Sequence, residues 1–190
     1  MGSIYWQLND TWPVASWSSV DYFGRYKALH FFAKRFYQDV SLGIFNEEKD
    51  VTINVSNETL SSFEGYIKYG VMKNDFTPVF ENVKMVLVDS LASLDVKTVS
   101  NEDFNGLNDA YFYAELYDKN NNMIARNVEL GKKPKHFKFL KPSIKIEATT
   151  CNGCTYLTFT SNVLAKNVFV SFKGFDAKLS DNFFDLSSKE

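Results

Sequence analysis

The sequence predicts a mainly β protein built on an immunoglobulin-like sandwich, with one helix near its start. Between Val40 and Leu140, short apolar stretches alternate with period two and are separated by polar turns rich in asparagine. Hydrophobic residues make up 45% of the chain and aromatic residues 16%, which is enough apolar material for a thick β core. The same composition excludes a disordered chain.

The first 37 residues predict a strand, a loop and a helix. Residues 3–8 are predicted to form a short buried strand, and residues 9–13 a loop that ends in proline. Asp21 or Ser19 would cap the start of the helix, and Lys34 and Arg35 suit its negative end. The helix itself is predicted from apolar and aromatic residues at three-and-four spacing, namely Tyr22, Tyr26, Leu29, Ala33 and Phe36.

Seven strands are predicted in the middle of the chain, at residues 40–45, 51–55, 63–71, 83–88, 111–117, 123–130 and 136–139. Seven short strands are typical of an immunoglobulin-like sandwich, here without the Cys–Trp–Cys core of antibody domains. Beyond a linker bracketed by Pro134 and Pro142, four more strands are predicted at residues 144–148, 156–160, 168–172 and 177–179. Four strands are too few for a second complete sandwich. We therefore predict domains at residues 1–38, 39–141 and 142–190, the last an incomplete immunoglobulin-like β domain.

The two cysteines predict a hairpin. Cys151-Asn152-Gly153-Cys154 contains Asn-Gly, the favoured pair for a two-residue type I′ turn, so the cysteines should face each other across two strands. A redox CxxC motif normally opens a helix, which is not predicted here, and a zinc site would need both His30 and His136 as further ligands. Neither a metal nor a cofactor is expected.

Charge and hydropathy narrow the range of partners. A net charge of −2 argues against nucleic-acid binding, and the basic run at Lys132, Lys133 and Lys135 is expected to be a solvated loop. No stretch approaches the length of a membrane span, and the N-terminus lacks a signal-peptide pattern. Three glycosylation sequons, at Asn9, Asn54 and Asn57, do not establish secretion, so the localisation stays open.

The N-terminal region carries a family resemblance. The run YWQLNDTWPVASWSSVDYFGRYKALH, from Tyr5 to His30, resembles the end of the catalytic barrel of family 2 β-mannosidases: the last strand, its loop and the last helix. Arg35-Phe36-Tyr37 resembles the entry into the first C-terminal sandwich. Residues 162–168 and 180–186 resemble parts of the final immunoglobulin-like domain. The fold class is then a sandwich region preceded by one strand and one helix of a (β/α)8 barrel.

The resemblance implies a retaining glycosidase in which two glutamates about 5 Å apart act as nucleophile and acid/base. In the family both glutamates precede the part that this chain matches, so no catalytic residue is predicted here and this chain alone is expected to be inactive. The implied partners are a β-mannoside glycan and an upstream barrel of the same polypeptide. Because one strand and one helix cannot close a barrel, residues 1–37 are expected to fold back on the sandwich or to self-associate.

The resemblance also implies a substrate-binding role for four residues. Trp6 falls near the end of the last barrel strand, where related barrels place an aromatic platform under the sugar. Asn9, Asp10 and Trp12, in the following loop, are candidates for contacts to sugar hydroxyls or for the pocket rim, and Asn9 and Asp10 could instead brace the loop. A tryptophan in a buried strand is more often part of a core than of a binding site, so packing in the core is the alternative role for Trp6.

Two other functions stay open at this stage. Another family 2 glycosidase, such as a β-galactosidase, β-glucuronidase or exo-glucosaminidase, would share this region. A β-sandwich module that binds carbohydrate or another partner without catalysis is the second alternative, which aromatic side chains on an exposed strand face would support.

Overall fold

Strands dominate the computed structural model, which describes residues 4–47, 49–100, 102, 104 and 106–188. Within these residues lie one α-helix, one short 3-10 helix at Pro134–His136 and eleven strands. In chain order, the helix and strands are α1 (Ala28–Phe36), β1 (Val40–Asn46), β2 (Asp50–Asn57), β3 (Phe63–Lys73), β4 (Pro78–Val88), β5 (Ala92–Ser100), β6 (Ala110–Asp118), β7 (Met123–Leu130), β8 (Ile144–Cys151), β9 (Cys154–Ser161), β10 (Ala165–Val168) and β11 (Phe184–Leu186).

The first seven strands form an immunoglobulin-like sandwich. One sheet has the order β1-β2-β5 and the other β4-β3-β6-β7, and all neighbours are antiparallel. A three-stranded and a four-stranded sheet facing each other is the arrangement that this fold uses to bury one face of each sheet. The predicted fold class is therefore confirmed: mainly β, immunoglobulin-like, with one helix.

The core lies between the two sheets and is supplied by alternate residues of each strand. In β2, Val51, Ile53 and Val55 are fully buried while the residues between them are half-buried. Strand β6 is buried on both faces, because Phe112 points into the sandwich core and Tyr111 into a second apolar cluster. The other members of that second cluster are Phe76, Tyr113, Leu130, Phe137 and Leu164.

Two predictions for the sandwich strands are wrong. Strand β5 was not predicted, because a bulge opposite Ile53 and Asn54 interrupts its alternation and buries Val96 between polar neighbours. The strand predicted at residues 136–139 is absent. Pro134, which has a fixed φ and no N–H, instead starts the 3-10 helix, and Phe137 behind it is buried.

The remaining strands form two two-stranded sheets, β8-β9 and β10-β11. The predicted cysteine hairpin is confirmed: Cys151 pairs with Cys154, and Asn152 and Gly153 both have the positive φ of a type I′ turn. Both thiols are exposed and unpaired. The strand predicted at residues 168–172 lies earlier, as β10, and residues 177–179 form no strand; β11 follows at Phe184 instead.

The N-terminal region differs from the prediction at both elements. The strand predicted at residues 3–8 begins outside the described residues, and from Ile4 to Leu8 no strand is formed and Ile4, Trp6 and Leu8 face solvent. The helix begins at Ala28 rather than near Tyr22, because the Asp21 carboxylate accepts hydrogen bonds from the N–H groups of Phe23 and Arg25 and folds residues 21–25 into a turn.

The chain divides into two compact units. One contains the described residues up to Gln38 together with Asn167–Phe184, and the other contains Asp39–Lys166 with the described residues from Asp185 onward. In the first unit the Arg35 guanidinium pairs with Asp181 at 2.7 Å and donates to the Asn182 and Phe183 carbonyls. The division into three domains stays a prediction. No helix within the described residues is long and apolar enough to cross a membrane.

Candidate functional site

The candidate site is a loop, residues 11–18, whose two ends are held side by side. The N–H of Ser19 donates to the Gln7 carbonyl at 3.0 Å, and the N–H of Val20 to the Leu8 carbonyl at 2.9 Å. The N–H of Asp10 completes this short parallel pairing by donating to the Val20 carbonyl at 3.1 Å. The base of the loop is thus fixed by backbone hydrogen bonds, although its flanks are too short to form strands.

A buried ion pair contacts the loop through two of its serines. The Lys27 ammonium is 2.8 Å from the Asp10 carboxylate and 2.7 Å from the Ser18 hydroxyl, and the Ser16 hydroxyl donates to the other oxygen of Asp10. Only 1% of the Asp10 side chain is exposed, against 28% of Lys27. A buried carboxylate is tolerated only when its oxygens are paired, and here both are. The Asp10–Lys27 pair therefore braces the loop.

The tryptophan side chains of this region are exposed to solvent. Trp6, Trp12 and Trp17 are each between 65% and 71% exposed, and they are the three tryptophans of the chain. The peptide bond between Trp6 and Gln7 is cis. Large exposed aromatic side chains on a fixed loop can stack on the apolar face of a ligand.

The four residues predicted from sequence divide into two kinds. Trp6, Asn9 and Trp12 are exposed, and the Asn9 amide donates to the backbone carbonyl of Asp10 at 3.2 Å. Asp10 is buried and already fully paired, so its carboxylate is not presented to solvent.

Sequence reasoning missed the partners of Asp10. Ser16, Ser18 and Lys27 all lie within the run that carries the family resemblance, yet no role was predicted for them. The signal available was the presence of one lysine and several hydroxyls in a run that is rich in aromatic residues. Their convergence on one carboxylate could not be deduced from spacing, because Lys27 is brought to Asp10 by the turn at residues 21–25.

The charge of Asp10 makes the loop acid-sensitive. Its hydrogen bonds from Lys27 and Ser16 hold the pKa of the carboxyl below its ordinary value of 3.8. A depressed pKa in the folded state means that the stabilisation is complete above about pH 4 and is lost as the pH falls through the folded pKa. The loop should therefore loosen at low pH.

We expect tryptophan fluorescence to report this loosening, since all three tryptophans lie in or beside the loop. Because their rings are already exposed, the change should appear as a fall in emission anisotropy as the pH is lowered below about 4. Lys27→Met should move the transition to higher pH, because the carboxyl loses the cation that lowers its pKa. Asp10→Asn should lack the transition and show low anisotropy at neutral pH; a wild-type profile in this variant would contradict the assignment.

Comparison with known proteins gives one consistent result. A family model described as "Mannosidase Ig/CBM-like domain" matches residues 49–136, and one described as "Ig-fold domain" matches residues 139–190. The β-mannosidase of Capra hircus is 53% identical over 51 residues, which are 27% of this chain and 6% of that protein.

Solved structures agree over nearly the whole chain. The crystal structure of β-D-mannosidase from Dictyoglomus thermophilum is similar with a TM-score of 0.87 and 25% identity, over 97% of this chain and 23% of that one. The exo-chitosanase of Amycolatopsis orientalis, at 17% identity, shares the fold with a TM-score of 0.69, over 98% of this chain and 26% of that one. This chain thus spans less than a third of each of these three proteins. By the agreement of the family models, the sequence relatives and the solved β-mannosidase, it belongs to the β-mannosidases of glycoside hydrolase family 2 and corresponds to their C-terminal region.

Proposed function

We propose that this chain supplies one wall of the sugar-binding pocket, together with a C-terminal scaffold, in a retaining β-mannosidase that hydrolyses terminal β-D-mannosides. The two catalytic glutamates would lie in a barrel that precedes this region in the same polypeptide. The small share of each relative that the chain covers supports this arrangement.

The observation that carries the proposal is the exposed Trp6 side chain beside a braced loop. An indole face is apolar and weakly negative, so it suits the C–H face of a pyranose. The hydrogen bonds of Gln7 and Leu8 to residues 19 and 20 fix the backbone directly after Trp6. A platform that is already held in place loses little conformational freedom when the sugar binds.

The other three residues would act in different ways. Asn9 and Trp12 are exposed and would contact sugar hydroxyls or form the pocket rim. For Asp10, the buried pair with Lys27 favours a positioning role over the direct contact that the sequence suggested. Removing the pair would then affect the substrate through the loop, and not through a lost hydrogen bond to the sugar.

The test is Trp6→Ala in the full-length protein, with kcat/KM measured on an aryl β-D-mannoside. We expect kcat/KM to fall about 100-fold, a loss typical of a group that positions the substrate. Trp17→Ala is the matched control, because Trp17 lies in the loop that follows Trp6, is as exposed as Trp6 and has no proposed sugar contact. Equal effects of the two substitutions would contradict the platform role.

The sugar specificity is tested with the same unmodified protein. Aryl β-D-mannoside should be cleaved with a higher kcat/KM than the corresponding β-D-galactoside, β-D-glucuronide and β-D-glucosaminide. A preference for any of these three would assign the chain to another specificity of the same family. The 190-residue chain by itself should hydrolyse none of them.

A further inference from the structure

The outer face of the β1-β2-β5 sheet has an unusual composition. Alternate residues of these strands point away from the core and line up in three rows across the sheet. The rows are Ser41–Ser56–Ser93, Gly43–Asn54–Asp95 and Phe45–Thr52–Thr98. These nine positions, which we call the polar face, hold five hydroxyls, one amide, one carboxylate, one glycine and one aromatic ring.

The side chains of the polar face are held by a hydrogen-bond network centred on Asn54. The Asn54 amide donates to the Asp95 carboxylate at 2.8 Å, and its oxygen accepts from Ser56 at 3.1 Å and from Ser93 at 3.0 Å. The hydroxyls of Ser56 and Ser93 are 2.9 Å apart, and those of Thr52 and Thr98 are 3.1 Å apart. The network orients donors and acceptors before any ligand arrives, which lowers the entropy cost of binding.

Phe45 gives this face its one aromatic surface. Its ring is 55% exposed and reaches along the sheet over Gly43, where a Cβ atom would lie only 3.3 and 3.4 Å from the ring atoms Cε2 and Cζ. Glycine at position 43 therefore leaves room for the ring. A Cβ atom at this position would also lie 3.8 Å from the Cβ of Asn54, so the ring lies beside the Asn54 side chain. An exposed ring and an ordered set of polar groups thus adjoin each other.

The chemistry of the polar face favours one class of ligand. A protein partner would need an apolar centre, and the face has one aromatic residue among nine positions. A nucleic acid would need Lys or Arg, and the single charge on these positions is the carboxylate of Asp95. A neutral sugar offers vicinal hydroxyls to the amide, carboxylate and hydroxyl groups and a C–H face to the ring.

We propose that the polar face binds a neutral oligosaccharide, with Phe45 stacking on one pyranose ring and Asn54 and Asp95 bonding to hydroxyls of that ring or its neighbour. The three strands span about 10 Å, wide enough for more than one sugar unit. All nine positions lie in the second compact unit, so the proposal does not depend on Trp6, on the loop at residues 11–18 or on mannosidase activity.

The experiment is an amide-shift NMR titration of the 190-residue chain with β-1,4-mannotriose and, separately, cellotriose. We expect saturable shifts of amides in β1, β2 and β5 for at least one of the sugars, with a Kd on the order of 1 mM. No saturable shift with either sugar, or shifts confined to other strands or to residues 6–18, would overturn the proposal.

Two variants test the contact itself. Phe45→Ala should raise Kd at least about tenfold, because the stacking surface is lost. Gly43→Ala keeps every sugar-facing group but displaces the ring, so it should raise Kd several-fold. Phe175→Ala, a similarly exposed phenylalanine of the first unit, should leave Kd unchanged. If Phe45→Ala and Gly43→Ala both gave well-dispersed spectra and bound the sugar with wild-type affinity, the proposed binding site would be wrong.

Discussion

Phe112→Ala should lower the free energy of unfolding of the sandwich by about 3–5 kcal/mol. Phe112 is fully buried in β6, and its ring centroid is 5.8 Å from that of Phe104 and 6.3 Å from that of Tyr69. Because β6 lies inside the four-stranded sheet, the surrounding strands cannot easily collapse into the cavity left by the ring. Urea unfolding followed by far-UV circular dichroism measures the loss.

The same substitution on the outside of the sandwich is the control. Phe45→Ala removes an equal number of atoms from an exposed ring and should cost less than about 1 kcal/mol. If the two variants were equally destabilised, the interior would be able to repack around residue 112, and the rigid core inferred from the burial of β6 would be wrong.

Asn57→Asp should be nearly as damaging, although it changes almost no volume. Asn57 is fully buried, and its amide nitrogen donates to the carbonyls of Ser61, Val88 and Asp89 at 2.8, 3.2 and 3.0 Å. Aspartate would direct acceptor oxygens at the same three carbonyls and would bury a charge. We expect the free energy of unfolding to fall by about 3 kcal/mol or more.

Asn82→Asp is the matched control, because Asn82 lies exposed in β4. Its free energy of unfolding should stay within about 0.5 kcal/mol of the wild-type value. Equal losses in the two variants would show that the Asn57 hydrogen bonds contribute little. Asn57 is also the first residue of a glycosylation sequon. In the folded chain its amide nitrogen is engaged in these hydrogen bonds and has no exposed surface.

The elements that the sequence predicts well are those whose own residues carry the whole signal. Strand β2 alternates strictly, β7 has the predicted bounds, and Asn-Gly alone determines the turn between Cys151 and Cys154. Each of these depends on local periodicity or on one turn type. The family resemblance adds the order of the domains along the chain, which periodicity alone does not predict.

The failures have in common that a distant or polar group decides the local structure. Strand β5 is hidden because its bulge is defined only by its pairing with β2. The start of α1 is displaced by the side chain of Asp21, which competes with helical hydrogen bonds. For Asp10 the sequence left a sugar contact and a bracing role both open, because its partner Lys27 is 17 residues along the chain and the pairing cannot be deduced from spacing.

The strand order of the sandwich also determines how it must assemble. Three pairings, β1-β2, β3-β4 and β6-β7, join consecutive strands and can form as hairpins within about 10 microseconds. Closing each sheet requires pairings such as Val55 with Leu94 and Ile67 with Leu116, which join distant parts of the chain. Folding should therefore take on the order of milliseconds to seconds, the range of sandwiches dominated by non-local contacts. During that interval the hairpins expose unpaired edges, and it is then that the chain is most exposed to aggregation.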